Sequence, residues 1–554
     1  MAARGPWTRA TIKVDAEVLS EMPQARPDRP PRGWSDRLHL TPLSTIANET
    51  TGWDNRWLRV SVAVAAPALG ALGLGLAMPR GPVSTGDALV SLFACLAVGL
   101  VSGFALRSRW ALLAAPVVFA GVFELVRLGE AGPTVDAIHF GSIYGVVAFI
   151  SGRGLHGVLA LLPMVLGAAL GAGIARRAGG AAASRGRRVG LVARRVVTGA
   201  AACALVALAV FIALPAGTPE IRDANGAVVP GSIAELATVE VGGSEQALMI
   251  RGTSTDNPVL LFLAGGPGGS EIGSMRNLSE GLEQDFVVAT WDQAGTGKSV
   301  GAFDPGMTVE STVADTIAVA DYLRERFDEE RVYLVGNSWG TILGVLAVKQ
   351  SPELFHAFVG AGQMVSTVET DRMFYEDTLA WAQREGDSAL AKTLRANGPP
   401  PYEDTLKYEA ALAHEHDWNV YPGQDAIMEK GEMPGNIMVG EYSLMEKLRL
   451  MGGMLDTFCL LYPQLDGVDL RRDAASLDVP VYLVQGAYEA RGRAIPAAEW
   501  FEMLKAPGKQ MIVFEKSGHK SLFEEADRFR QVMTDTVLRA TYPGRGDEAH
   551  AFPN

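Results

Sequence analysis

Residues 60–78 run VSVAVAAPALGALGLGLAM without one charge, and residues 88–106, 157–175 and 196–214 do the same. A fifth apolar segment, 110–126, is interrupted only by Glu124. Each run approaches the roughly 20 apolar residues that a helix needs to cross about 30 Å of hydrocarbon. Runs this long and this closely spaced do not fit one soluble core. They predict an all-α transmembrane domain over 57–214 with about five spans. Residues 137–151 (AIHFGSIYGVVAFIS) are short for a span and read as a re-entrant or interfacial segment, with a sixth span as the alternative.

Charge divides the chain at the same place. Residues 1–214 carry 21 Lys+Arg against 11 Asp+Glu, and residues 215–554 carry 28 against 51. The stretch 176–195 holds seven arginines and no acid, so it is expected on the cytoplasmic side. Arg107 and Arg109, between the second and third segments, and the Arg-rich N-terminal tail fall on that same side if there are five spans. The fifth span then exports everything after Leu214. The tail, 1–56, is polar and Pro/Arg-rich, which predicts disorder and does not fit a cleavable signal peptide. A net charge of −13 argues against nucleic acid as a partner. Three scattered cysteines give no disulfide framework and no thiolate metal site.

Beyond Pro215 short apolar runs alternate with amphipathic stretches. Strands are expected at 246–251, 258–263, 286–291, 331–335, 480–485 and 510–514, and helices at 309–328 and 340–350. The alternation implies an α/β fold with a doubly wound, mostly parallel sheet over 215–554.

Strand 331–335 runs into Gly336-Asn337-Ser338-Trp339-Gly340, a G-x-S-x-G between strand and helix. That turn is too tight for side chains on either flank, and it lifts the Ser338 hydroxyl above the sheet edge as a nucleophile. Strand 258–263 ends in Ala264-Gly265-Gly266-Pro267-Gly268-Gly269. Its backbone N–H groups, from Gly265 or Gly266, would complete an oxyanion hole with the N–H of Trp339. His519, after strand 510–514, stands where a general base is needed, whereas His550 is in the tail. Glu489 is the first carboxylate after strand 480–485 and would orient His519. Gly297-Lys298-Ser299 resembles the end of a phosphate loop, but the first glycine of that motif is replaced by Asp292, so nucleotide binding is rejected. His414 and His416 stand two apart on a polar helix. They do not share a face, which favours a solvated surface over a metal site.

The motifs LLFLAGGPGGSE, WDQAGTGKS, VGNSWG, QGAYE and FEKSGH together resemble the prolyl-aminopeptidase-like branch of the α/β-hydrolase superfamily, over about 230–535. The resemblance implies a Ser338/Glu489/His519 triad, an oxyanion hole from Gly266 or its neighbour plus Trp339, and a cis Gly266–Pro267 bond. It also implies a helical cap at about 364–470. In the aminopeptidases of that branch, cap glutamates bind the substrate amine beside a W-x-x-W-E motif. That motif is absent here, where the cap has Trp381-Ala382-Gln383, and Glu369 and Glu376 are the remaining candidates. The histidine that usually opens the glycine loop is Ala264.

These readings converge on a membrane-anchored serine hydrolase with an extracytoplasmic catalytic domain, needing no cofactor or metal. A prolyl-aminopeptidase-like peptidase acting on a small peptide is favoured. An esterase or lactonase of the same fold is the alternative enzyme, and a catalytically silent membrane receptor or accessory protein is the alternative of another class. Expected partners are the lipid bilayer and a small peptide or ester; oligomeric state is left open.

Overall fold

A computed structural model describes residues 55–136, 138–178, 185–424 and 434–542. The tail up to residue 54, His550 and the side chains of Arg185, Arg187 and Arg188 lie outside the described residues.

The apolar runs form helices α1 (Arg56–Ala77), α2 (Thr85–Leu106), α3 (Ala111–Val126), α4 (Ile143–Arg177) and α5 (Arg185–Ala213). Four of them are long and apolar enough to cross a membrane by length and composition, and α3 is shorter. Two expectations need correction. Residues 143–149 are no separate segment, because they open the 35-residue α4, where π-helical turns at 150–154 and 157–161 carry the helix past Gly152, Gly154 and Gly157. The arginine-rich stretch is not simply a loop either, since α4 runs through Arg177 and α5 starts at Arg185. Arginine is a good helix former, and it can reach water from a helix end.

A glycine seam joins α2 to α4. A Cβ on Gly99 would lie 2.0 Å from the Met164 carbonyl oxygen, and one on Gly103 2.2 Å from that of Ala168. In return, a Cβ on Gly167 or Gly171 would lie 2.1 Å from the carbonyl oxygen of Leu96 or Leu100. This is a reciprocal small-xxx-small pairing, in which backbones approach because side chains are missing. Ser102 ties α2 to α1 by donating to the Ala63 carbonyl at 2.7 Å.

The second half is built on one eight-stranded sheet: β1 (Ile233–Val241), β2 (Ser244–Gly252), β3 (Val259–Leu263), β4 (Val287–Asp292), β5 (Val332–Asn337), β6 (Phe355–Ala361), β7 (Val481–Gly486) and β8 (Lys509–Phe514). Spatial order is β1-β2-β4-β3-β5-β6-β7-β8, antiparallel at β1–β2 and β2–β4 and parallel elsewhere. β1 and β6 add two strands to the six expected. Side chains alternate between two buried layers: Leu261 and Leu263 enter one, Leu260 and Phe262 the other. Winding reverses at β3, which lies between β4 and β5, and such a reversal opens a crevice at the strands' C-terminal ends. Helices α6 (Val309–Phe327) and α7 (Trp339–Gln350) cover the sheet. Between β6 and β7 the chain is largely helical, including α8 (Thr367–Glu385) and α9 (Leu444–Leu461), and α10 (Arg491–Met503) follows β7.

Helix α9 touches both halves. Toward the sheet, Gly268 packs on Met454 and Thr457, and Gly295 on Thr457. Toward the apolar helices, Asp456 accepts from Arg80 (2.9 Å) and from the Thr134 N–H (3.1 Å) and hydroxyl (2.6 Å), while Arg449 donates to the Arg80 carbonyl (2.9 Å). Glu409 accepts from the N–H groups of Ile143 and Tyr144 at 2.8 and 2.9 Å, capping α4. The α1–α2 and α3–α4 connections therefore both meet the sheet-bearing half.

Candidate active site

β5 delivers Ser338 into the crevice beside β3. Its backbone sits at φ 53°, ψ −117°, a conformation a residue with a Cβ seldom adopts and one that stores about 1–3 kcal/mol. Both flanking glycines are required on steric grounds. A Cβ on Gly336 would lie 2.4 Å from the Gly340 oxygen, and one on Gly340 2.2 Å from the Leu263 oxygen. The strain is held by fixed bonds: the Ser338 N–H donates to the Ala361 carbonyl (3.1 Å), and its own carbonyl accepts from the Thr341 N–H (2.8 Å) and hydroxyl (2.6 Å).

His519 Nδ1 is 2.8 Å from Glu489 Oε2, so the two residues sequence reading paired are in hydrogen-bond contact. Ser338 reaches the same place through β6. Its N–H is bonded at Ala361, and a Cβ on the next residue, Gly362, would come 2.7 Å from His519 Nδ1. Both Ser338 and His519 are half-buried. Burial alone would push the Glu489 carboxyl up, but Arg493 and His519 outweigh it and hold the group at about 2. Glu489 is thus ionised throughout the neutral range. Its other oxygen, Oε1, accepts from Arg493 Nε (2.7 Å) and the Ala490 N–H (3.0 Å).

The glycine loop lies against the serine: a Cβ on Gly265 would be 3.3 Å from the Ser338 Cβ. The Gly266–Pro267 bond is cis, as the resemblance implied. The Gly265 N–H is engaged, donating to Glu271 Oε2 at 3.1 Å. That leaves Gly266, whose N–H has no hydrogen-bond partner among the described residues, and Trp339, the first residue of α7, whose N–H lies ahead of the helix's own bonding pattern.

Two supporting residues escaped sequence reading. Buried Glu271 also accepts from Asn337 Nδ2 (3.1 Å) and lies 3.7 Å from Lys520 Nζ, so it links the glycine loop, the serine turn and the histidine loop. Gln293 accepts from Trp339 Nε1 (3.0 Å) and donates to the Ala264 carbonyl (3.4 Å). Each lies next to a glycine-rich motif, but sequence does not show what such a residue faces. The Gly297-Lys298-Ser299 turn folds back on Asp292. The Lys298 N–H donates to the Asp292 carboxylate (2.8 Å), and the Ser299 hydroxyl to its carbonyl (2.6 Å). These groups are committed to the turn itself and not to a phosphate.

Glu369 and Glu376 do not meet the serine–histidine site through any bond among the described residues. Glu369 pairs with Arg471, and Glu376 with Arg491 at 3.0 Å. His414 bonds Asp417 (2.7 Å) and His416 bonds Gln424 (2.8 Å), so the two rings serve different partners.

Residues 260–532 match the model described as the alpha/beta hydrolase family. Among curated proteins, the chain is similar to the probable aminopeptidase YbaC of Bacillus subtilis (strain 168), 28% identical over 55% of this chain and 96% of that one. It is 23% identical to the proline iminopeptidase of Lactobacillus delbrueckii subsp. lactis, over 52% of this chain and 93% of the relative. Among solved structures, a proline iminopeptidase-related protein of Thermus thermophilus matches at TM-score 0.41 and 20% identity, over 56% of this chain and 99% of that one. The family match lies in the sheet-bearing half of the chain.

Proposed function

We propose, from the premise that residues 260–532 belong to the alpha/beta hydrolase family, that the chain is a membrane-anchored serine hydrolase working through an acyl-enzyme. The observation that carries this is the 2.8 Å His519–Glu489 bond beside a serine held at positive φ. Ser338 Oγ attacks the carbonyl carbon while His519 Nε2 takes its proton. The oxyanion draws on the N–H groups of Gly266 and Trp339. His519 then returns the proton to the leaving group, and water, deprotonated by the same imidazole, releases the acid. Glu489 stays ionised and fixes the ring.

The peptidase names of the relatives favour an amide with a free N-terminal residue, proline foremost. One observation favours the ester or lactone reading: the two glutamates considered for amine recognition are each paired with an arginine. For the anchor, the support is the set of long apolar helices and the connections that meet the catalytic half. Five spans would put 57–214 in the bilayer and 215–554, with its helical cap, outside the cytoplasm. The tail would then remain inside.

Purified chain and its Ser338→Ala variant should be tested on a panel of proline and other aminoacyl anilides and short acyl esters. Anilide turnover lost in the variant supports the peptidase reading. Ester turnover alone moves the enzyme to the esterase class. A folded chain that turns over neither and is unreactive to a fluorophosphonate is the silent receptor, and the enzyme reading fails.

A further inference from the structure

A glutamate in the orienting position has one more rotatable bond than an aspartate, and something must fix it. The candidate is Arg493, in the first turn of α10, four residues beyond Glu489 and only 6% exposed. Its Nε donates to Glu489 Oε1 at 2.7 Å, on the oxygen His519 does not use. Its Nη2 bonds Glu415, on the short helix Glu415–Trp418 of the helical insertion between β6 and β7. The guanidinium also lies over the Phe374 ring of α8, 4.7 Å from its centroid. Beside it, Thr370 donates to the Gly492 carbonyl at 2.8 Å, joining α8 to the start of α10. A planar fork matches this two-carboxylate bridge in a way an ammonium does not.

The geometry points to Arg493 as a positioning residue for the catalytic acid, and to Glu415 as the insertion's hold on that arginine. This rests on the triad reading above. Arg493 orients Glu489 and shares its charge with it, so the electrostatic field at His519 depends on whether Glu415 is in place. The sign follows from charge. Without Arg493, an imidazolium at the site loses a nearby cation and has Glu489 to itself, so the acid limb of the reaction's pH profile moves up. Without the Glu415 charge, Arg493 turns wholly to Glu489, and the limb moves down. The other charged or titratable groups facing this site are Glu524 and Tyr421, bonded to each other at 2.9 Å, the Lys520–Glu271 pair, and Asp371 beyond Arg493. None is altered in the variants below.

The test is the rate of Ser338 labelling by a fluorophosphonate as a function of pH, which needs no knowledge of the substrate. In Arg493→Gln the plateau rate should fall about 10- to 100-fold, as for a misplaced catalytic group, and the acid limb should rise by about one pH unit. Arg493→Lys should return the limb toward the parent position and part of the rate. In Glu415→Gln, which leaves arginine and acid in place, the limb should move the opposite way. Coincident limbs in Arg493→Gln and parent, or a lysine variant no better than glutamine, overturn the inference. If the arginine variants do not fold, an unmoved limb in Glu415→Gln overturns it. A parent chain that is not labelled at Ser338 overturns the hydrolase reading instead.

Discussion

Leu260, Leu261, Phe262 and Leu263 in β3 are wholly buried, whereas Leu76 on α1 and Val117 on α3 stand 70% and 60% exposed. Both halves use the same apolar alphabet. In the sheet, every large apolar side chain of β3 is removed from the surface by a neighbouring layer. On the helices, such side chains cover the outside, and much of the inside is made of small residues, with Ala71, Ala88 and Ala105 buried and Gly99 and Gly103 touching backbone. One half buries its large apolar side chains between layers, and the other brings backbones together through small residues while its large side chains stay outside. Burial, not hydrophobicity, separates the two regimes, and the α9 junction with its polar bonds is where they meet.

The junction itself is held by a buried carboxylate. Asp456 is 4% exposed at its side chain and holds Arg80 and Thr134. Asp456→Asn leaves Arg80 only the more distant Glu130 carboxylate, 3.9 Å away, and removing one partner of a buried pair costs about 3–5 kcal/mol. Differential scanning calorimetry in detergent should show the two halves melting in separate transitions. An unchanged single transition means that the junction is not stabilised there.

A matched pair of charges sharpens the contrast. Val117→Arg, on the exposed face of α3, should reduce membrane insertion by about 2.5–3.5 kcal/mol in a glycosylation-mapping assay. Val513→Arg on β8, at a site 44% exposed, should shift stability by no more than about 0.5 kcal/mol. Equal effects would mean that the two surfaces face the same solvent. Gly103→Leu tests the helix interior: it forces α2 away from Ala168 and should cost about 1–3 kcal/mol, read as a lower detergent melting temperature of the first half alone.

A pH dependence should be confined to the second half. Glu489 is held at about 2, below its ordinary 4.5. A carboxyl depressed on folding stabilises the fold above its unfolded value, and that contribution is lost as pH falls from 4.5 through 2. Glu489→Gln should flatten unfolding of this half over that window, seen in acid titrations followed by tryptophan fluorescence. A parent curve already flat there would contradict the assignment.

How far the sequence carried depends on which signal each feature leaves. Uncharged runs and G-x-S-x-G leave local ones, so the apolar helices, Ser338 and the His519–Glu489 pairing were readable. The edge strand β1 carries Glu235 and Glu240, and β6 is interrupted by His356 and Gly360, so neither stood out. Pattern cannot distinguish a turn from a π-helical turn, which is why 143–149 separated from the rest of α4 in the reading. The glycine seam went unread, because its meaning needs the partner helix. Arg493, Glu271 and Gln293 matter through what they touch, and their partners lie on other elements. The engaged Gly265 N–H is of the same kind, since its acceptor is a side chain six residues on.

The central claim is that chemistry resides at one serine in a chain held in a bilayer. Native membranes carrying the full chain should be treated with a fluorophosphonate and digested with trypsin, and the adduct located by mass spectrometry. A single adduct is expected on Ser338, within the peptide 332–349, recovered with the membrane fraction and absent in Ser338→Ala. An adduct on another residue, or none on folded chain, contradicts it.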